Sequence, residues 1–595
     1  MNFVIPAQAG IYYTMKLLKH FKELTIRPKN AEELKGLILQ LAIQGKLTAN
    51  WRNQNSDIEP ASELLKRIQK EKEQLVKDKK IRKEKELPAY SKDEIPYEIP
   101  EIWIWSKLGT ISQIIGGGTP KTSNPEYFCE EGISWFTPAD LGKSKSKYLS
   151  NGRRDITELG LQKSSAQLMP KGSVMFSSRA PIGHTAIGLK DFSTNQGFKS
   201  SVPFLMEMNE YIYLYLNSIV KVANENASGT TFKEVSGTIV KNFLFPLPPL
   251  EEQKEIVRVV ETLFKEVEQL EQSTVERIGL KEDFVTSALH QLTTNNAKQE
   301  WTFLQDHFKS FFNETTNIKK LRETVLQLAV QGKLTADWRQ QRSLIGAEVE
   351  DASQLLKRIQ EEKAQLIASK KIKKEKALPP IGKEEIPYEL PDGWVWCRLN
   401  ELTELITKGS SPKWQGVQYV EEGEGILFVT SENVGNYNLI WKKKKYVESK
   451  FNEIEPRSIL KSNDLLMNIV GGSIGRTAIY NIDELANINQ AVTIIRLFPK
   501  VSYEYFLHFF NSPICISYMY DKQVDNARPN LSMGNIAKFM IPLPSLEEQK
   551  AIVKKVNALM GLCDALEQKV QQSQEHSEKL MQSVLREIFE PNKLN

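Results

Sequence analysis

The sequence predicts an α+β protein with two globular domains in tandem, connected by long antiparallel-packing helices and related by a pseudo-two-fold internal duplication. Three observations lead there. First, the 595-residue chain repeats itself in four blocks. Ile43-Gln44-Gly45-Lys46-Leu47-Thr48-Ala49-Asn50-Trp51-Arg52 returns as Val330-Gln331-Gly332-Lys333-Leu334-Thr335-Ala336-Asp337-Trp338-Arg339, and Leu64-Leu65-Lys66-Arg67-Ile68-Gln69 returns as Leu355-Leu356-Lys357-Arg358-Ile359-Gln360. Ile95-Pro96-Tyr97-Glu98 returns as Ile386-Pro387-Tyr388-Glu389, and Leu250-Glu251-Glu252-Gln253-Lys254 as Leu546-Glu547-Glu548-Gln549-Lys550. A period of about 290 residues is far too long for a solenoid unit, so the repeat is a domain with its helices. Second, residues 106–242 and 398–538 agree only in short islands, so a shared scaffold encloses two different interiors. Third, each interior mixes short β-type runs with Gly, Pro, Ser and Asn punctuation, whereas the flanks carry helical periodicity.

Taken in order, residues 1–30 form an N-terminal extension. Ala7-Gln8-Ala9 imitates a signal-peptidase site, but the segment before it lacks a basic region and an apolar core, and Met15 is the alternative start. Residues 31–90 form a helical arm: a helix over 31–46 (Leu34, Leu37, Ile38, Leu41) stops near Gly45, and a charged helix over 61–86 ends at Pro88. Residues 91–250 form the first globular domain, with strands expected over 173–176 and 184–189. Residues 251–300 form a central spacer helix, in which Ile256, Val260, Leu263, Val267 and Leu270 fall at heptad spacing. A second arm over 301–380, a second domain over 381–546 and a C-terminal spacer helix over 547–595 complete the duplication. The last has Ile552, Val556, Leu559, Cys563, Leu566 and Val570 in the same register. Trp103, Trp105, Trp394 and Trp396 are expected to pack where domain meets arm.

Composition bounds the function without naming it. The hydrophobic and charged fractions, 40% and 26%, are those of an ordinary soluble protein. A net charge of +5 is too small to identify a partner. Its distribution says more: residues 66–86 hold ten Lys/Arg against five Asp/Glu, and 357–376 eight against three. Such a face is either solvated or phosphate-contacting. Cys129, Cys397, Cys515 and Cys563 show no Cys-x-x-Cys spacing, which argues against zinc and disulfides and fits a reducing cytoplasm. No apolar run of about 18 residues is present.

Several blocks carry a resemblance. Phe176-Ser177-Ser178-Arg179-Ala180-Pro181-Ile182-Gly183-His184-Thr185-Ala186, then Thr194-Asn195-Gln196-Gly197, resembles the target recognition domain of type I restriction-modification specificity subunits. So do Val470-Gly471-Gly472-Ser473-Ile474-Gly475-Arg476-Thr477-Ala478, then Asn489-Gln490-Ala491, and the exit phrase Asn526-Ala527-Arg528-Pro529-Asn530-Leu531. The helices before each domain are similar to those of the longer members. The resemblance implies a non-catalytic subunit that binds a split, asymmetric DNA sequence, one domain per half-site, with the helices setting the spacing. It also implies modification subunits that bind S-adenosylmethionine and methylate adenines, and a motor and nuclease subunit that uses ATP and Mg; no cofactor is expected on this chain. Helices of about 40 residues would extend roughly 60 Å, enough to bridge more than one turn of duplex. The alternative is a helical scaffold whose two domains bind proteins.

Enzyme motifs are imitated rather than present. Asn124-Pro125-Glu126-Tyr127-Phe128 resembles the adenine-methyltransferase motif, but Glu126 replaces a proline and no glycine-rich cofactor fingerprint lies upstream, so a turn is expected. Gly116-Gly117-Gly118-Thr119-Pro120-Lys121-Thr122 ends like a P-loop, yet Pro120 removes an N–H that would cradle phosphate. The six histidines, His20, His184, His290, His307, His508 and His576, never fall at metal-ligand spacing. Arginine forks onto guanine, asparagine onto adenine, and Lys, Ser and Thr serve phosphates and either base. On that chemistry the DNA-binding candidates are Lys121, Thr122, Ser177, Ser178, Arg179, Thr231 and Lys233 in the first domain, and Lys408, Lys413, Asn468, Arg476, Arg528 and Asn530 in the second. Asn195-Gln196 and Asn489-Gln490 are expected to brace turns. Trp441-Lys442-Lys443-Lys444-Lys445 either holds phosphate or forms a solvated turn.

Overall fold

The computed structural model describes residues 28–144, 146–229, 233–294, 298–344, 350–375, 377–521 and 530–589. It divides into two compact units, Met1–Ile278 with Glu578–Asn595, and Gly279–Ser577. The same plan recurs in each.

In the first unit the helix Pro28–Ile43 ends at Gly45, whose φ of +70° is the left-handed conformation a helix stop requires. The charged helix spans only Ala61–Lys77, not 61–86. Lys79 takes φ +57°, and the amides of Lys79 and Lys80 turn back to Val76 O and Leu75 O, a Schellman-type stop. The second arm does the same: Ala352–Ala368, with Lys370 at φ +57° bonding Ile367 O and Lys371 bonding Leu366 O. Lysine and glutamate continue the helical composition beyond this point, but the last closely spaced apolar residues are Leu75 and Val76. Further turns would bury little, so the fold stops where the apolar face does.

Each globular domain starts and ends on one strand pair. Ile104–Lys107 runs antiparallel to Leu244–Leu247, with Ile104 opposite Leu247 and Lys107 opposite Leu244. Val395–Arg398 pairs with Met540–Leu543 in the same register. Between them the first domain builds a five-stranded sheet in the order Ser112–Gly116, Lys199–Pro203, Val174–Phe176, Thr185–Gly188, Tyr148–Leu149. The second builds a four-stranded antiparallel sheet, Thr403–Lys408, Val492–Leu497, Leu465–Asn468, Thr477–Ile479. It adds a second four-stranded sheet in which Ile426–Val429 lies parallel to Ala486–Ile488. One helix backs each main sheet. Asn209–Ser218 buries Tyr211, whose hydroxyl donates to Pro246 O at 3.0 Å, and Tyr503–Phe510 buries Tyr505, which bonds Pro542 O at 2.5 Å.

The helices after the domains are Leu250–Thr294 and Leu546–Phe589, 45 and 44 residues, about 67 Å each at 1.5 Å per residue. The first heptad seam is covered by the arm helix that precedes its domain. Ile256, Val260 and Val267 share a core with Leu34, Leu37 and Leu41 of the preceding arm helix. Lys35 reaches Glu268 while Thr48 reaches Glu252, so that arm helix runs antiparallel to the long one. The twin seam is split. Ile552 and Val556 join the second domain's core, while Cys563, Leu566 and Val570 pack with Val285, Ala288 and Leu289 from the later part of the first long helix.

A buried carboxylate ties domain, arm and long helix together in each unit, and it explains why three distant sequence blocks recur together. Glu252, fully buried, accepts from Thr48 Oγ1 at 2.7 Å, Arg52 Nη2 at 2.7 Å and Trp103 Nε1 at 2.7 Å. Glu548 accepts from Thr335 Oγ1 at 2.7 Å, Trp394 Nε1 at 2.9 Å and Arg339 Nη1. Breaking a buried pair of this kind costs about 3–5 kcal/mol, whereas an exposed pair such as Lys35–Glu268 contributes about 0.2–1. The buried junction therefore dominates. The second tryptophan of each pair packs on the repeated tyrosine, Trp105 on Tyr97 and Trp396 on Tyr388, with ring centroids 5.0 and 5.1 Å apart.

Candidate nucleic-acid interface

In the first domain four loops meet at one end of the main sheet. After Phe176 the chain folds into a tight turn closed by Ser177: its Oγ donates to Pro181 O and accepts from the His184 amide, both at 2.8 Å. Gly183 takes φ +104° to bring its amide to Ser177 O at 3.0 Å. The turn is held from both sides, by Ser178 N to Gly197 O at 2.7 Å and by Val235 N to Ser178 O at 3.0 Å. A third loop docks where Gly118 N meets Thr194 O at 2.8 Å and Thr119 Oγ1 meets Gln196. Gly117 lies so close that a Cβ there would be 2.0 Å from Asn195 O, which only glycine permits.

The second domain repeats this with other residues. Asn468 stands where Ser177 stands: its amide bonds Arg476 O at 3.0 Å, its carbonyl accepts from Gly475 N at 2.9 Å, and Ile469 N bonds Ala491 O at 3.0 Å. The exit segment closes through Leu531 N to Ile469 O at 2.9 Å and the Val470–Asn530 bridge. A Cβ on Gly409 would lie 1.9 Å from Ile488 O, the counterpart of Gly117. Asn195 Oδ1 caps Gly197 N at 2.9 Å and Asn489 Oδ1 caps Ala491 N at 3.1 Å, so these paired amides brace turns in both domains.

The profile of the family described as type I restriction modification DNA specificity domain matches this chain twice, at residues 100–277 and 391–575, each match beginning just before a boundary strand pair and ending within a long helix. The chain belongs to that family. The specificity subunit of the type I restriction enzyme EcoAI from Escherichia coli is 30% identical over 90% of both chains, and that of EcoEI, also from Escherichia coli, 29% identical over 91% of both. The HsdS subunit from Thermoanaerobacter tengcongensis aligns with 83% of this chain and 98% of its own at 19% identity and a TM-score of 0.39.

The candidate contact residues of the two specificity domains fall into two groups. Lys121, Thr122, Lys233, Lys408, Lys413, Arg476 and Asn530 are exposed on the loop cluster or beside it, and Arg179 is half-buried there. Ser177, Ser178 and Asn468 are fully buried, which corrects their assignment as contacts. Ser177 closes its turn, and Asn468 Nδ2 donates inward to Ser431 O at 2.9 Å; neither has surface to offer a duplex. Thr231 and Arg528 lie outside the described residues. The Asn124 motif is a short 3-10 turn whose Asn124 side chain caps Glu126 N, as its sequence suggests. Half of the lysine run after Trp441 is paired, Lys444 with Glu484 and Lys445 with Glu432, leaving Lys442 and Lys443 exposed.

Two residues at these sites carry no motif that marks them. Glu234 lies between Arg179 Nη1, at 3.9 Å, and Lys199 Nζ, at 3.0 Å, an arrangement created only when the exit segment folds back. Trp414 is 73% exposed next to Lys413, a large apolar surface beside a cation; its Ser411-Pro412-Lys413 turn is the one signal in the sequence. Among the described residues no group of His, Cys, Asp and Glu is placed to hold a metal, and no described helix is long and apolar enough to cross a membrane.

Proposed function

We propose that this chain is the DNA-reading specificity subunit of a type I restriction-modification complex, recognising a bipartite, asymmetric target with one specificity domain per half-site. The observation that carries the reading is that both domains build the same braced loop cluster but present different side chains from it. Where the first turn offers Arg179, the equivalent position is Val470, and where the first has His184 the second has the exposed Arg476. Two unlike surfaces suit two unlike half-sites, whereas a symmetric dimer would demand a palindrome. In this reading the chain does no covalent chemistry. Modification subunits, carrying S-adenosylmethionine, reach adenines that must leave the stack, and a motor and nuclease subunit uses ATP and Mg, all in the cytoplasm. The test is to replace residues 106–242 by the corresponding segment of another family member and sequence the methylated adenines. One half of the methylated motif should change while the other half and the gap persist; a change in both halves, or no duplex binding by the native complex, sinks the reading and favours a protein-binding scaffold.

A further inference from the structure

The stops of the two charged helices share a sequence that the DNA-reading role leaves unused: Lys79-Lys80-Ile81-Arg82-Lys83-Glu84-Lys85 and Lys370-Lys371-Ile372-Lys373-Lys374-Glu375-Lys376. Lys79 and Lys370 both hold φ +57°, a conformation in which glycine is the unstrained choice and is the usual residue at a helix stop. A lysine kept there in both halves, at a conformational cost, indicates a use for its charge. Ile81 and Ile372 turn back onto the helix, their amides bonding Leu75 O and Leu366 O at 3.3 Å, and both are half-buried, which fixes the turn and leaves the cations outside. The one acid inside each motif is engaged at its base: Glu84 with Lys241 at 2.7 Å and Glu375 with Lys363 at 3.5 Å. Among the described residues, Lys79, Arg82, Lys83, Lys370, Lys371, Lys373 and Lys374 are exposed and carry no ion pair.

The turns are also close to the loop clusters. Lys241 is in the helix Gly237–Asn242, about 9 Å long, which starts two residues after Val235 bonds the Ser178 turn. Lys363 donates to Thr403 O at 3.2 Å, at the start of the strand that ends, about 17 Å on, at Lys408. With one phosphate per about 3.4 Å of each strand, these spans correspond to roughly three to five nucleotides beyond the bases read.

We infer that the two basic turns are paired, sequence-independent phosphate clamps, one flanking each half-site. This rests on the DNA-reading function proposed above. It accounts for a basic motif that recurs beside two domains that otherwise differ, changing only from Arg82 to Lys373 and so keeping its charge: bases change between half-sites, but the phosphate backbone does not.

The test uses the full chain assembled with its modification subunits and a fluorescent 40-base-pair duplex of random sequence, titrated between about 50 and 200 mM salt. Replacing Lys79, Lys80, Arg82 and Lys83 together by Gln should lower the slope of log affinity against log salt by about 2–4, close to 0.9 for each phosphate no longer neutralised. The set Lys370, Lys371, Lys373 and Lys374 should behave alike, and Lys→Arg versions should keep the native slope. Methylated motifs in cells should keep their sequence. An unchanged slope overturns the inference, and so does loss of the modification subunits at unchanged slope, which would make the turns a protein-docking surface. If the native complex itself shows no salt-dependent binding, the DNA-reading function fails first, which is a separate result. Should the fourfold variants fold poorly, Lys79→Gly decides: a higher unfolding midpoint with weaker duplex binding supports the clamp, while unchanged binding removes it.

Discussion

Arg179 and Glu234 face each other with Nη1 3.9 Å from Oε2, and Lys199 holds the other carboxylate oxygen at 3.0 Å. The arginine is thus parked rather than locked. A half-exposed pair at this distance is worth about 0.2–1 kcal/mol, less than the 1–3 kcal/mol of discrimination a bidentate arginine–guanine contact supplies.

Arg179→Ala is therefore expected to weaken binding of the cognate duplex by about 1–3 kcal/mol and to relax preference at one base pair of one half-site. Competition between cognate duplexes carrying single base changes measures both. A folded variant with native affinity and native preference would assign Arg179 to bracing the exit segment.

Asn468→Ala should act differently. Its amide spans from the loop cluster to Ser431 O, so truncation leaves a buried carbonyl unpaired and costs about 1–3 kcal/mol of stability. The methylated motif should stay as it is at temperatures where the protein remains folded. A changed motif would return Asn468 to the bases. Ser177→Ala, at the equivalent position, should show the same pattern.

Glu252→Ala and Glu548→Ala each strand a partly buried arginine and a buried indole N–H. A loss of about 3–5 kcal/mol is expected for either, read as a lower denaturant midpoint. Glu268→Ala, which removes an exposed pair with Lys35, should shift the midpoint by less than about 1 kcal/mol. Equal effects from the buried and exposed carboxylates would refute the buried-junction account.

His508 supplies a pH dependence. Burial pushes its pKa down to about 4 from the ordinary 6.5, so the ring is neutral in the folded protein. The unfolded chain takes up the proton first on acidification. Stability is therefore fully present above about pH 6.5 and declines as pH falls toward 4, by about 3 kcal/mol at 1.4 kcal/mol per unit. His508→Phe should flatten denaturation midpoints across that window; an equally steep decline in the variant would place its origin elsewhere.

Much of this architecture is legible in residue order alone. The repeated Thr48, Arg52, Trp103 and Glu252 blocks recur because they converge on one carboxylate, and a duplication exposes such a convergence even when the contacts are unseen. The seam at Ile256, Val260 and Val267 is legible as a helix face but not as to partner, because heptad spacing specifies a stripe and not which helix covers it; Leu34 and Leu37 do. A helix over 61–86 overshoots its real end because lysine and glutamate favour helix without supplying anything to bury. Ser177 and Asn468 defeat a reading from residue type for a related reason. The hydroxyl and amide that can read a base are the same groups that can close a turn, and burial, which decides between them, depends on segments far away in sequence.

The strand pairs that open and close each domain have a further consequence. Because Ile104 lies opposite Leu247, and Val395 opposite Leu543, each domain leaves the scaffold where it entered. A crossover in the gene within the codons of those two short strands would import a complete foreign interior whose first and last residues find their hydrogen-bonding partners already in register. Inheritance of a new target sequence then requires no compensating change in the helices, and a lineage carrying such a gene can acquire a different methylation pattern in a single recombination event.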